Sequence, residues 1–342
     1  MAIGVAAARR QRARPARLDG AAGGDDLPRR RRDEPGELQP ALQRRGGRLR
    51  AGAALEVSGD ARYADKAIQV LDAWSAVLVG IGGTSDKFLA AGLYGYQLAN
   101  AAEIMRSYAA WPAASFARFQ AMMTAVFYAM NHDFLTRHNG ACISHYWANW
   151  DLCNMDSMLA IGVLTDDRAV YDEAVAYFKT GAGNGAIDKA VVTIFPGNLG
   201  QWQESGRDQG HNTLGIGLAG AFCEMAWKQG DDLYGWEDDR FLAGAEYVAQ
   251  YNLGNDVPYA TYDNCDNVNQ TVISATGRGD DRPIWELVYN HYVNRRGLPA
   301  PNVAAYAARV RPEGGGGDYG PNSGGYDQLG YGTLTATLDP MP

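Results

Sequence analysis

From about residue 54 onward, apolar side chains recur at steps of three and four, the spacing of a helix with one buried face. Residues 61–79 set Ala64, Ala67, Ile68, Leu71, Trp74 and Leu78 on one stripe. The same spacing predicts helices over 88–108, 114–130, 146–163, 168–180, 211–229, 238–253, 282–294 and 303–310. Asp166, ahead of one of these runs, reads as an N-cap. Gly181, Gly230 and Gly254 stand where helix-ending glycines belong. Period-two alternation, the mark of a strand, is confined to 330–338 (GYGTLTATL).

Many helices joined by loops rich in Gly, Asn and aromatics predict an all-α fold of antiparallel helix hairpins. Hairpins can stack as a solenoid or close into a ring. No fixed-period repeat runs through the chain, which favours an incomplete (α/α) toroid or barrel over a solenoid.

At 342 residues, 46% of them apolar, the chain can bury a large core. Its net charge of −8 argues against a nucleic-acid surface. No apolar run reaches the roughly 18 residues of a membrane span. Cys142, Cys153, Cys223 and Cys265 are too few for a disulfide scaffold and form no CxxC pair. No dinucleotide-binding glycine motif, P-loop or HExxH is present, so neither a metal nor a cofactor is expected.

The charge is uneven. Residues 1–50 hold 13 Arg, no Lys and 6 acidic residues, a balance of +7 against −15 for the remainder. This stretch, with Arg29–Arg32 at its centre and no aromatic residue, cannot bury enough apolar surface to fold alone. It also lacks the apolar core of a signal peptide. Residues 1–53 therefore read as a disordered Arg-rich segment: a solvated tail, a polyanion-binding arm, or the product of a start-site or reading-frame error. The folded domain is expected over 54–342.

Chemistry concentrates in two loop-to-helix junctions. The first, His138-Asn139-Gly140-Ala141-Cys142-Ile143-Ser144-His145-Tyr146-Trp147-Ala148-Asn149-Trp150-Asp151, is dense in imidazole, amide and aromatic groups. On a helix His145 and Asn149 share a face, as do Tyr146 and Trp150. The second, Gln201-Trp202-Gln203-Glu204-Ser205-Gly206-Arg207-Asp208-Gln209-Gly210-His211-Asn212, offers an Arg fork suited to a carboxylate and a His suited to proton exchange. For each segment the plain alternative is structural: capped helix starts, core aromatics, and an Arg207 ion pair with Glu204 or Asp208.

Together these groups suit proton abstraction beside a carboxylate, which needs the growing negative charge neutralised. β-Elimination in uronic-acid polysaccharides is such a reaction, and Trp147, Trp150 and Trp202 can stack on sugar rings. The stretch Ile143–Trp150 resembles the Asn-Asn-His-Ser-Tyr-Trp-Ala segment of the alginate lyase superfamily of α/α toroids. Glu204–Asn212 resembles that superfamily's later Arg…His-Asn segment. Within it the chain is most similar to polysaccharide lyase family 38, which acts on alginate or glucuronan, and the resemblance covers residues 54–338.

The resemblance implies His145 as base, Arg207 as the group that neutralises the uronate, and Asn149 as amide partner, although the family's Asn precedes its His where this chain has Ser144. The family's catalytic Tyr falls just after the His-Asn pair, where this chain has Thr213. Either His211 takes a proton-transfer role or a Tyr arrives from elsewhere, with Tyr146, Tyr262 and Tyr326 as candidates. Trp147, Trp150, Trp202, Gln203, Glu204 and Tyr262 are the expected substrate contacts. The resemblance further implies an acidic polysaccharide as partner and a secreted or periplasmic location; the chain is expected to be a monomer with neither nucleic acid nor membrane as partner.

Two other readings stay open: an inverting glycoside hydrolase using Glu204 and Asp208, and a non-catalytic glycan-binding protein, which Thr213 favours. Residues 252–276, without helical period, read as a lid or a surface connection. The Gly-rich 313–331 reads as a flap over the ring or as a linker.

Overall fold

The computed structural model describes residues 58–317 and 327–337. The Arg-rich segment and residues 318–326 of the Gly-rich stretch, Tyr326 among them, lie outside this range. Among the described residues the architecture is all-α, with two small β-hairpins. In chain order the helices are α1 (Ala61–Ser75), α2 (Asp86–Met105), α3 (Ala113–Met122), α4 (Ala129–Arg137), α5 (Ala148–Thr165), α6 (Arg168–Thr180) and the single turn α7 (Ile187–Ala190). Strands β1 (Val191–Phe195) and β2 (Leu199–Trp202) follow, then α8 (Gln209–Lys228) and α9 (Trp236–Asn252). After β3 (Tyr262–Asp263) and β4 (Asn269–Gln270) come α10 (Trp285–Tyr289), α11 (Pro301–Val310) and the turn α12 (Gly332–Thr335).

Helix α5 is the axis of the core. It is buried on every face except at Trp150, Val163 and Thr165, and packs against α2, α4, α6 and α8. A helix apolar all round belongs inside a protein rather than on its surface. Helix α2 comes unusually close to it because Gly92 has no side chain: a Cβ there would sit 2.7 Å from the Cys153 carbonyl carbon.

Several boundaries differ from the sequence expectation for local reasons. The run over 114–130 continues to Arg137, since a π-helical stretch at Met123–Tyr128 joins α3 to α4. A second π-helical stretch, Asn290–Arg295, extends α10. Asp166 is not an N-cap. It closes α5 in the left-handed conformation, and Asp167 caps α6 by accepting from the N–H groups of Ala169 and Val170. The β1–β2 hairpin went unpredicted because its residues alternate poorly. The tail 330–338 is not a strand where it is described: Gly332–Thr335 is a helical turn, and Gly330 pairs with Gly315 in an isolated bridge.

Candidate active site

At the end of α4, His138 and Asn139 adopt left-handed φ values of 45° and 53° and reverse the chain. Both are residue types that tolerate this region better than most. His138 is thereby buried, its Nε2 3.0 Å from Asp151 Oδ1 and 3.1 Å from the Tyr177 hydroxyl. The chain then runs without helix to Trp147, which precedes α5 and makes no side-chain cap bond.

The free N–H groups at the start of α5 are satisfied by the second motif instead. Gln203 Oε1 accepts from the Ala148 N–H at 3.0 Å, and Glu204 Oε2 from the Asn149 N–H at 3.3 Å. Gln203 and Glu204, expected to touch substrate, thus lie beneath the surface with capping as their first task. Arg207 stacks its guanidinium over the Trp147 ring, 5.1 Å from the centroid, and donates to Glu204 Oε1 at 2.8 Å. Burial pushes the Glu204 carboxyl above its ordinary value, against the pull of Arg207 and His211.

Asp208 caps α8 by accepting from the His211 N–H, and both its carboxylate oxygens lie within 2.8 Å of His211 Nδ1. Burial would raise this carboxyl. The bonds from the His211 ring and backbone, with Arg207 nearby, outweigh it and hold Asp208 below the usual range. Asp208 therefore stays ionised and favours the His211 tautomer with its proton on Nδ1, leaving Nε2 as a proton acceptor.

The β3–β4 hairpin forms a further side. A disulfide joins Cys142 to Cys265, the Ser144 hydroxyl accepts the Cys265 N–H at 2.8 Å, and His145 Nδ1 lies 2.5 Å from Asp266 Oδ2. The hairpin carries Tyr262 against Trp147, ring centroids 6.4 Å apart. Tyr262 donates to Asn184 Oδ1 at 3.3 Å. Burial raises its hydroxyl's pKa, partly offset by the Gln203 and Asn184 amides, while the charge of Glu204 adds to the rise. The Cys142 and Cys265 sulfurs and the Asp266 carboxylate also cluster within 4.8 Å, a grouping the S–S bond itself explains.

Asn149, Arg207, His211, Tyr262 and Trp147 are thus gathered around Glu204, with His145 on the half-exposed rim. One expectation needs correction, and two further aromatic candidates are placed in packed surroundings. Trp202 is fully buried, its ring against Gly215 and Gly244, so no sugar reaches it. Tyr146 packs against Phe134 and Trp150, with its hydroxyl accepting from Asn139. Trp150, partly buried, stacks on Phe134 and packs against the core.

Thr213 is buried too, its hydroxyl bonded back to the Gln209 and Gly210 carbonyls, so that position cannot present a group to substrate. Sequence reasoning missed Asn184, Asp266 and the disulfide. The only signal for the last was that Cys142 and Cys265 both fall in segments without helical spacing.

No functionally curated protein matches the sequence. The family model described as alginate lyase matches residues 5–257, a span that contains both loop motifs and stops short of Tyr262; the chain belongs to the alginate lyase family.

Proposed function

We propose that this chain, a polysaccharide lyase by family, cleaves alginate or glucuronan by β-elimination at the site around Glu204. The observation that carries the reading is the Asp208–His211 pair standing next to an Arg207 fork stacked on Trp147. Arg207 and the Asn149 Nδ2 would donate to the uronate carboxylate. His211 Nε2 takes the C5 proton, the electron pair forms the C4–C5 double bond, and the C4–O bond breaks. Tyr262 gives its proton to the leaving oxygen, the task that Thr213 cannot perform. His145, held by Asp266, lines the entrance.

The helix pairs around α5 are read as an incomplete (α/α) toroid, and the chain as a monomer. An exposed disulfide suits a secreted or periplasmic protein. The test is absorbance of the unsaturated uronate on alginate, polymannuronate, polyguluronate and glucuronan. A rise on one of them, abolished in His211→Ala, supports the proposal. A folded protein giving no rise on any uronan refutes it.

A further inference from the structure

We propose that Asn184 is a positioning residue that sets the Tyr262 hydroxyl and the His145 loop in one register. The inference rests on Tyr262 being the proton donor proposed above, but its structural half can be measured without turnover.

Asn184 is buried, and its amide is used at both ends. Nδ2 donates to the Ser144 carbonyl at 3.1 Å and to the Tyr146 carbonyl at 2.7 Å, on the two sides of His145. Oδ1 accepts from the Tyr262 hydroxyl at 3.3 Å. One planar amide thereby joins the first motif to the hairpin that supplies Tyr262. Because donors and acceptor sit on one rigid group, displacing the amide disturbs both segments at once.

The amide is itself held from behind. The Gly183 N–H donates to the Tyr177 hydroxyl at 3.2 Å, and the Gly185 N–H to Asp151 Oδ2 at 2.9 Å. Tyr177 and Asp151 both meet His138 Nε2. A backbone N–H on either side of Asn184 is therefore anchored to one buried network. The flanking glycines are required by this seating: a Cβ on Gly183 would come 2.6 Å from His138 Nε2, and one on Gly185 2.9 Å from the Leu152 nitrogen. The His138–Asp151–Tyr177 cluster, which the elimination chemistry does not use, thus acquires a task.

A purely structural role would leave Asn184 as a loop anchor with no special tie to Tyr262. Asn184→Ala, Tyr262→Phe and the double variant separate the two, with Tyr177→Phe as a gentler perturbation should Asn184→Ala fail to fold. Asn184→Ala is expected to lower kcat by about 10- to 100-fold, the scale of a misplaced reacting group, with KM within about twofold. In the Tyr262→Phe background the same change should cost much less. Tyr177→Phe should give a smaller loss of the same kind. Hydrogen exchange over 259–270 should quicken in Asn184→Ala and in Tyr177→Phe without substrate present.

An equal fold-loss in both backgrounds, a loss confined to KM, or unchanged exchange over 259–270 in the folded variants would overturn the assignment. If the unmodified protein acts on no uronan, the proposed function fails. The exchange measurement then still decides whether Asn184 holds the hairpin.

Discussion

Asp208 Oδ1 accepts the backbone N–H of His211 at 2.8 Å, and the same carboxylate reaches His211 Nδ1 through both oxygens. One side chain therefore starts helix α8 and fixes the imidazole that emerges from its first turn. The two tasks come apart under substitution. His211→Ala should cut kcat by about 10²- to 10⁴-fold, the usual contribution of a general base. Asp208→Asn keeps an oxygen for the cap and loses the charge, so activity should fall with little change in Tm. Asp208→Ala loses the cap as well, at about 1 kcal/mol. Steady-state kinetics and thermal melts on the three variants check this, and near-normal kcat in His211→Ala would transfer the base to His145.

Arg207 is committed before substrate arrives: it is stacked on Trp147, bonded to Glu204, and within 3.6 Å of Asp208. The stack and the Glu204 bond fix the plane of the fork, and a quarter of the side chain remains exposed to meet a carboxylate. Arg207→Lys should therefore behave as a damaging change, because an ammonium has neither the planar fork nor the stack. Its kcat/KM is expected to fall at least about tenfold, the effect of losing roughly 1.4 kcal/mol of transition-state stabilisation. Retention of more than half the activity in Arg207→Lys would mean that a point charge suffices.

Trp147 and Trp202 look alike in the sequence and should respond oppositely. Trp202→Ala opens a cavity against Gly215 and Gly244 and should cost about 3–5 kcal/mol of stability. Trp147→Ala removes the support under Arg207 and should raise KM while leaving the melt nearly unchanged. Denaturant unfolding beside kinetics on the two variants tests the pairing, and a stable Trp202→Ala with altered KM would contradict it.

This pair also shows what could be read from the chain and what could not. Helices α6 and α11 stood out because their apolar stripes are narrow and regular. Helix α5 has apolar residues on all sides, so its periodicity gave its existence but not its central place. The two motifs were visible as concentrations of imidazole, amide and aromatic groups. Their inner division was not, because burial depends on the glycines opposite: Gly215 and Gly244 decide that Trp202 is core. Tyr262 was one of three candidate tyrosines. Its selection depends on a hairpin pinned by Cys265 and Asp266, contacts separated by more than 120 positions from their partners.

The Cys142–Cys265 bridge closes a sequence separation of 123 residues and fastens the hairpin to the His145 loop. Dithiothreitol, or Cys142→Ser with Cys265→Ser, should release that tie. Activity should fall as Tyr262 and His145 lose register, and stability should drop by about 2–4 kcal/mol, the typical effect of removing a disulfide. The measurement is lyase rate and melting temperature before and after reduction, with reoxidation restoring both. Full activity in the reduced protein would show that Asn184 and the Asp266 pair hold the hairpin unaided.

Glu313 ties the chain after α11 to the start of α10, where its Oε1 accepts the N–H groups of Trp285 and Glu286. Burial raises its carboxyl to about 7, against those two N–H bonds, and the nearby Glu286 charge adds to the rise. Glu286 itself stays ionised, since burial is outweighed by bonds from Arg311 and Thr333. Because folding raises the Glu313 pKa, its contribution is complete below the ordinary value of 4.5 and is lost as pH climbs through about 7. The loss reaches on the order of 3 kcal/mol at most, from a shift of that size. Glu313→Gln keeps an acceptor for both N–H groups and cannot ionise, so its stability should no longer decline across that window. Thermal melts of both proteins from pH 4 to pH 8 make the comparison, and parallel curves would show that Glu313 is not the titrating group.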